Sequence, residues 1–157
     1  MFDKIKAFLT GEEAPRKTGQ FDETQIAVVA LLVRAAATAD SHFDESERAT
    51  IARIAAEYFN LTKEEVDDLI VAAAQDEVKT VDLHRWTKAI KNNYDEAARI
   101  NLIEKLWEVV YADGELDDYE ANLLRRVAGL IYVPDRESGQ ARLRVLNRLG
   151  LTPPPGG

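Results

Sequence analysis

Ala39-Asp40-Ser41-His42-Phe43-Asp44-Glu45-Ser46-Glu47 and Ala112-Asp113-Gly114-Glu115-Leu116-Asp117-Asp118-Tyr119-Glu120 are two copies of one phrase, A-D-x-x-(apolar)-D-x-x-E, set 73 residues apart. Each copy follows an apolar helical stretch and leads into another. At the same offset Ile51, Ile54 and Ala55 fall opposite Leu124, Val127 and Ala128. A long period met twice points to a duplicated helical unit.

Outward from the phrases, apolar residues recur at helical spacing. The first helix is expected from about Asp22, its N-cap, to Thr38, with Ile26, Val29, Ala30, Val33 and Ala37 as its stripe. A second, Glu45 to Phe59, buries Ile51, Ile54, Ala55 and Tyr58, and Asn60-Leu61 breaks it. Thr62-Lys63-Glu64-Glu65 is a capping box opening a third, with Val66, Leu69, Ile70 and Ala73 inside. A fourth, Asp82 to Lys91, presents Leu83, Trp86 and Ile90, and Asn93 with Glu96 forms a capping pair for a fifth. That fifth helix, Tyr94 to Tyr111, carries Ala97, Ile100, Ile103, Leu106, Trp107 and Val110, a stripe wide enough for an element touched from several sides. A sixth, Asp118 to Ile131, uses Leu123, Leu124, Val127 and Leu130. Pro134 starts a seventh, reaching about Leu149.

Strand-like alternation is absent from the sequence. The expected fold is therefore all-α: a pseudo-duplicated bundle of about seven helices, two related helix-loop-helix pairs (first and second, fifth and sixth) bridged by the third and fourth. Residues 22–150 form the domain. Residues 1–21 are a short amphipathic segment (Phe2, Ile5, Phe8, Leu9) and a flexible linker, and 151–157 a frayed tail.

Composition narrows the function. Of 157 residues 46% are hydrophobic and 31% charged, an ordinary globular balance, and there is no cysteine to form a disulfide, a thiolate metal site or a thiol nucleophile. The net charge of −8 argues against nucleic-acid binding, which needs phosphates neutralised by Lys and Arg. Charge is uneven. Residues 1–120 carry 14 basic and 26 acidic side chains, whereas 121–157 carry six arginines and two carboxylates. Such asymmetry suits docking to protein partners or self-association as a homo-oligomer. Arg125, Arg126, Arg142, Arg144 and Arg148 are the candidate interaction residues. Their alternative is a basic rim on a partly buried last helix backed by Leu143, Leu146 and Leu149. No apolar run spans a bilayer and the N-terminus lacks a signal-peptide core, so a cytoplasmic location is expected.

The acidic phrases have a purely structural reading. Asp44/Glu47 and Asp117/Glu120 are spaced as N-cap and N3, an aspartate-headed capping box, with Phe43 and Leu116 as staples. Asp40 and Asp113 do not fit it, because they stand at the C-terminal end of a helix, where the dipole disfavours negative charge. A cation is one way to relieve the repulsion. The candidate metal ligands are Asp113, Glu115, Asp117 and Glu120, with Asp40, Asp44 and Glu47 as a weaker first set, for a hard ion such as Ca²⁺ or Mg²⁺. An EF-hand is excluded: counting from Asp40 or Asp113, the twelfth residue is Ile51 or Leu124 instead of a bidentate glutamate. His42 and His84 are too separated in helical order to form a dyad, Trp86 and Trp107 are core anchors, and motifs of nucleophilic or phosphate chemistry are missing.

The second phrase, its weaker first copy and the helical segment with Trp86 and Trp107 between them resemble the TerB-like family of bacterial tellurite-resistance-associated proteins, related to the N-terminal region of a membrane-anchored DnaJ-like co-chaperone. The resemblance covers roughly residues 22–149. Ser41 stands where the second copy has Gly114. The resemblance implies an all-α pseudo-duplicated domain, an acidic surface at the residues named above, and a stress-response role at the inner face of the membrane with integral-membrane partners. The leading expectation is a non-enzymatic interaction module. A small metal-dependent enzyme using the repeated carboxylates and a structural adaptor without metal are the alternatives.

Overall fold

A computed structural model describes residues 21–36, 45–79, 83–112 and 118–151. Among these residues are seven helices and no strand: α1 (Glu23–Ala36), α2 (Glu45–Phe59), α3 (Lys63–Lys79), α4 (His84–Asn93), α5 (Glu96–Val110), α6 (Asp118–Leu130) and α7 (Asp135–Leu149). None is long and apolar enough to cross a membrane. The fold is all-α, as its periodicity requires.

Local chemistry sets the boundaries. Asp22 and Gln25 exchange hydrogen bonds at the head of α1 (2.8 and 3.0 Å), and Thr62 and Glu65 do so at the head of α3 (3.2 and 2.9 Å). Both are capping boxes that satisfy first-turn N–H groups. The expected Asn93/Glu96 box is replaced by an Asp95 cap. The Asp95 carboxylate accepts from the Ala98 N–H at 2.9 Å, while Asn93 stays in the last turn of α4 and donates to the Ala89 carbonyl. Tyr94 between them is extended, which starts α5 two residues later than the apolar spacing suggested.

Three helices end alike. An N–H two or three residues beyond the helix bonds back five residues, Leu61 to Ala56, Val133 to Ala128 and Leu151 to Leu146, just after a left-handed residue: Asn60 (φ 55°), Tyr132 (φ 63°) and Gly150 (φ 72°). Asparagine and glycine suit that position; tyrosine does not. Tyr132 is 70% exposed, its ring lying under the Lys91 ammonium at 4.7 Å. Tyr132→Gly is expected to raise stability by roughly 0.5–1 kcal/mol even with the Lys91 contact removed. Chemical denaturation checks this, and an unchanged or lower midpoint contradicts it.

The core is organised around α1. From Ala27 to Val33 every residue is buried, as are Ala35 and Ala36, and α1 packs against α2, α3, α4, α5 and α6. The one-sided stripe expected for this helix is therefore too narrow. Ile26 to Val33 is an unbroken apolar run, and a helix apolar all round is an enclosed one. The fifth helix is touched from several sides as expected, by α1, α2, α6 and α7.

The two halves meet along α1 and α5. Repeat-related positions share one core: Val29 with Leu102, Ala30 with Ile103, Val33 with Leu106, Ile51 with Leu124 and Ile54 with Val127 are all buried. Of the bridging helices, α4 touches both α1 and α6, and α3 lies on α1 and α2. Phe21, counted in the linker from sequence, is buried in the core. Ala97 is exposed, and so are Leu143 and Leu149 of α7. The buried face of α7 is Ser138, Ala141, Val145 and Leu146, so of the three leucines expected inside only Leu146 is, and Ser138 lies against Trp107.

Candidate functional site

The acidic phrases run into the first turns of α2 and α6. Asp40 and Asp44 of the first, and Asp113, Glu115 and Asp117 of the second, lie outside the described residues, as do His42 and the staples Phe43 and Leu116. The last carboxylate of each phrase is described. Glu47 and Glu120 each occupy the third position of their helix, and they are 2% and 5% exposed. Both take part in polar or electrostatic interactions, so neither is a stranded charge. A first-turn carboxylate also gains from the N-terminal end of the helix dipole. Duplication has thus kept a buried glutamate at the same place in both halves. Among the described residues no three His, Asp or Glu side chains gather into a metal-holding group.

The second phrase differs from the first in what surrounds it. Trp107 and Tyr111, on the last turn before it, stack at 6.1 Å, and the Arg142 guanidinium lies over both rings (5.0 and 5.9 Å) while its Nε donates to the Tyr111 hydroxyl at 2.9 Å. The Trp107 indole N–H donates to the Ser138 hydroxyl at 3.2 Å. A groove of about 240 Å³ opens here, with Arg125, Asp135 and Arg142 on its walls. The second phrase therefore has a fixed cation beside its entry. In the first half the residues 73 positions earlier are Arg34 and Thr38, so no matching aromatic pair exists there.

The sequence model of the family described as tellurite resistance protein TerB matches residues 25–143. The chain belongs to the TerB family. Among solved structures it is similar to a protein of unknown function from Porphyromonas gingivalis W83, with a TM-score of 0.56 and 20% identity over 81% of this chain and 97% of that one. At that identity the likeness is one of fold. None of the curated proteins matches the chain.

In this TerB-family chain the C-terminal arginines have definite places. Arg144 and Arg148 hold Glu104 at 2.8 and 2.9 Å, and Arg148 also reaches Glu108 at 3.4 Å. Glu108 in turn pairs with Arg53 of α2 and Lys105. One acidic stripe of α5 thus ties α2 and α7 together. Arg142 is spent on the aromatic pair, whereas Arg125 and Arg126 are exposed, Arg125 bonding Asn122 at 3.2 Å. His84 is exposed as well.

Burial would raise the Glu104 carboxyl, but the hydrogen bonds from Arg148 and Arg144 outweigh it and hold the group below its ordinary value. A carboxyl that ionises more readily folded than unfolded adds stability above its unfolded pKa, and that stability is lost as pH falls through the folded one. Wild-type stability should therefore fall on acidification, and Glu104→Gln should flatten the acid limb of urea midpoints measured against pH. Parallel curves contradict it.

Sequence reasoning missed a second polar knot. Trp86, 1% exposed, donates its indole N–H to Asp76 at 2.7 Å, and Arg85 grips the same carboxylate at 2.5 Å. Arg34 lies 5.0 Å over the Trp86 ring and donates to Glu77 at 2.5 Å. The only signal was Arg34 interrupting an otherwise apolar helix.

Proposed function

We propose that this protein is a non-enzymatic interaction module of a tellurite-resistance-type stress pathway, docking other proteins through an acidic surface that takes up a hard divalent cation such as Ca²⁺ or Mg²⁺. The observation that carries the reading is the pair Glu47 and Glu120, repeat-related and both buried where an acidic phrase enters a helix. Each closes a phrase that carries further aspartates in sequence, so negative charge is concentrated at the same place in both halves. A capped helix start accounts for the glutamate and the aspartate before it. It does not account for Asp40 and Asp113, whose charges a bound cation would offset.

The second phrase is the stronger site, with Glu115, Asp117 and Asp118 near Asp113 and Gly114 available for a tight turn. Among the other described carboxylates, Asp76, Glu77, Glu104 and Glu108 are committed to arginines of the same chain. On this reading the protein acts in the cytoplasm, at the inner face of the membrane, with integral-membrane proteins among its partners.

Affinity capture from the native cell, with wild-type chain and with an Asp113→Ala, Glu120→Gln variant of equal stability, tests the docking role. The variant should lose specific partners that the wild type retains. Identical partner sets sink the reading.

A further inference from the structure

The seam between α6 and α7 carries chemistry opposite in sign to the acidic phrases. Arg125 of α6 and Asp135, Ser138, Gly139 and Arg142 of α7 line the groove of about 240 Å³ there, with the Trp107 ring beside them. The four α7 residues are three and four apart in turn, so they share one face of that helix. Two guanidiniums, one hydroxyl and one carboxylate therefore border a single small space.

Their donors remain available after packing. The Nε of Arg142 and the flat face of its guanidinium are used on Tyr111 and Trp107, which fix its position, but its terminal nitrogens have no partner among the described residues. Arg125 uses one terminal nitrogen on Asn122 at 3.2 Å and keeps the rest. Ser138 is 7% exposed. Its oxygen accepts from the Trp107 indole at 3.2 Å, and its own proton has no acceptor among the described residues. A buried donor left unpaired is costly, and one on the wall of a groove points to a ligand that supplies the acceptor. Gly139 adds room. A Cβ built there would meet nothing within 4 Å, so α7 carries a poor helix former where no neighbour excludes a side chain. Pro134 gives the first turn of α7 no side-chain cap, and the helix dipole favours negative charge at that end.

Arginine forks and a hydroxyl suit an anion with several acceptor oxygens. Asp135 narrows the choice. Its carboxylate has no ion pair among the described residues, and it repels any ligand that brings only negative oxygens. A ligand that also brings an O–H gives that carboxylate a donor instead. Inorganic phosphate does so, because near neutral pH each of its forms keeps at least one P–OH beside its charged oxygens. Sulfate has the same shape and keeps none. We propose that the α6–α7 groove binds inorganic phosphate, with Arg125, Arg142 and the Ser138 hydroxyl donating to its oxygens and Asp135 accepting from its P–OH.

Amide resonances of the isotopically labelled full chain, followed near neutral pH without divalent cations, test this against sodium phosphate and, separately, sodium sulfate at equal ionic strength. The expected result is saturable shifts of the Arg125, Ser138 and Gly139 amides with phosphate, at an affinity at least about tenfold above that for sulfate. Arg125→Gln should weaken phosphate binding about tenfold. Asp135→Asn, whose amide donates as well as accepts, should bring sulfate up to the affinity of phosphate. Arg125 and Asp135 are both exposed, so neither change disturbs the core. Absence of saturable shifts at these amides up to millimolar phosphate overturns the proposal. So does equal affinity of the wild-type chain for the two anions, and so does phosphate binding that Arg125→Gln leaves unchanged.

Discussion

Trp86→Ala is expected to lower the stability of the domain by about 3–5 kcal/mol, the range for removing a large buried aromatic. The side chain is almost fully enclosed, and its loss opens a cavity beside α1, the helix on which most others pack. The change also strips Asp76 of its indole donor and Arg34 of the ring beneath its guanidinium. Asp76 keeps Arg85 and Arg34 keeps Glu77, so the polar groups are weakened without being orphaned. The cavity therefore dominates the cost. Trp86→Phe, which fills most of the volume but cannot donate, should lose much less. Equal losses for the two would make the hydrogen bond the larger contribution and contradict this ranking. Urea denaturation resolves differences of this size.

Leu32→Ala is expected to cost about 2–5 kcal/mol, a normal figure for a buried leucine. Leu32 is fully buried although it lies off the stripe that helical spacing picks out in α1. An amphipathic α1 with a solvated back would lose almost nothing at this position. The enclosed α1 described above loses as much here as at Leu31. The comparison of Leu31→Ala with Leu32→Ala thus measures how completely the other helices surround α1, and a near-neutral Leu32→Ala rejects that arrangement.

These two sites also mark where sequence reading works and where it stops. In α3 the polar and apolar residues alternate with a clean helical period, and Val66, Leu69, Ile70 and Ala73 are all buried as that period requires. In α1 nothing alternates from Ile26 to Val33, so there was no period to measure. Only the length of the apolar run hinted at full enclosure. At the α4–α5 junction both Asn93/Glu96 and Asp95 have cap spacing. The extended Tyr94 and the bond from Asn93 to Ala89 decide between them, and neither is visible in residue order.

The duplicated architecture was legible because it depends on a repeat within one chain. The ion pairs were not. Glu104 and Glu108 stand four apart on one face of α5, but which arginines meet them depends on how α2 and α7 are laid against it. For the acidic phrases, the positions of Glu47 and Glu120 at the heads of α2 and α6 followed from cap spacing, whereas their burial followed from tertiary packing.

Titration of the isotopically labelled chain with Ca²⁺, and separately with Mg²⁺, followed through its amide resonances, tests the cation-binding surface most directly. The account predicts saturable shifts centred on Asp113, Gly114 and Glu120, with weaker ones at Asp40 and Glu47, abolished in Asp113→Ala. Amides in both acidic phrases that stay unmoved up to millimolar cation would contradict it.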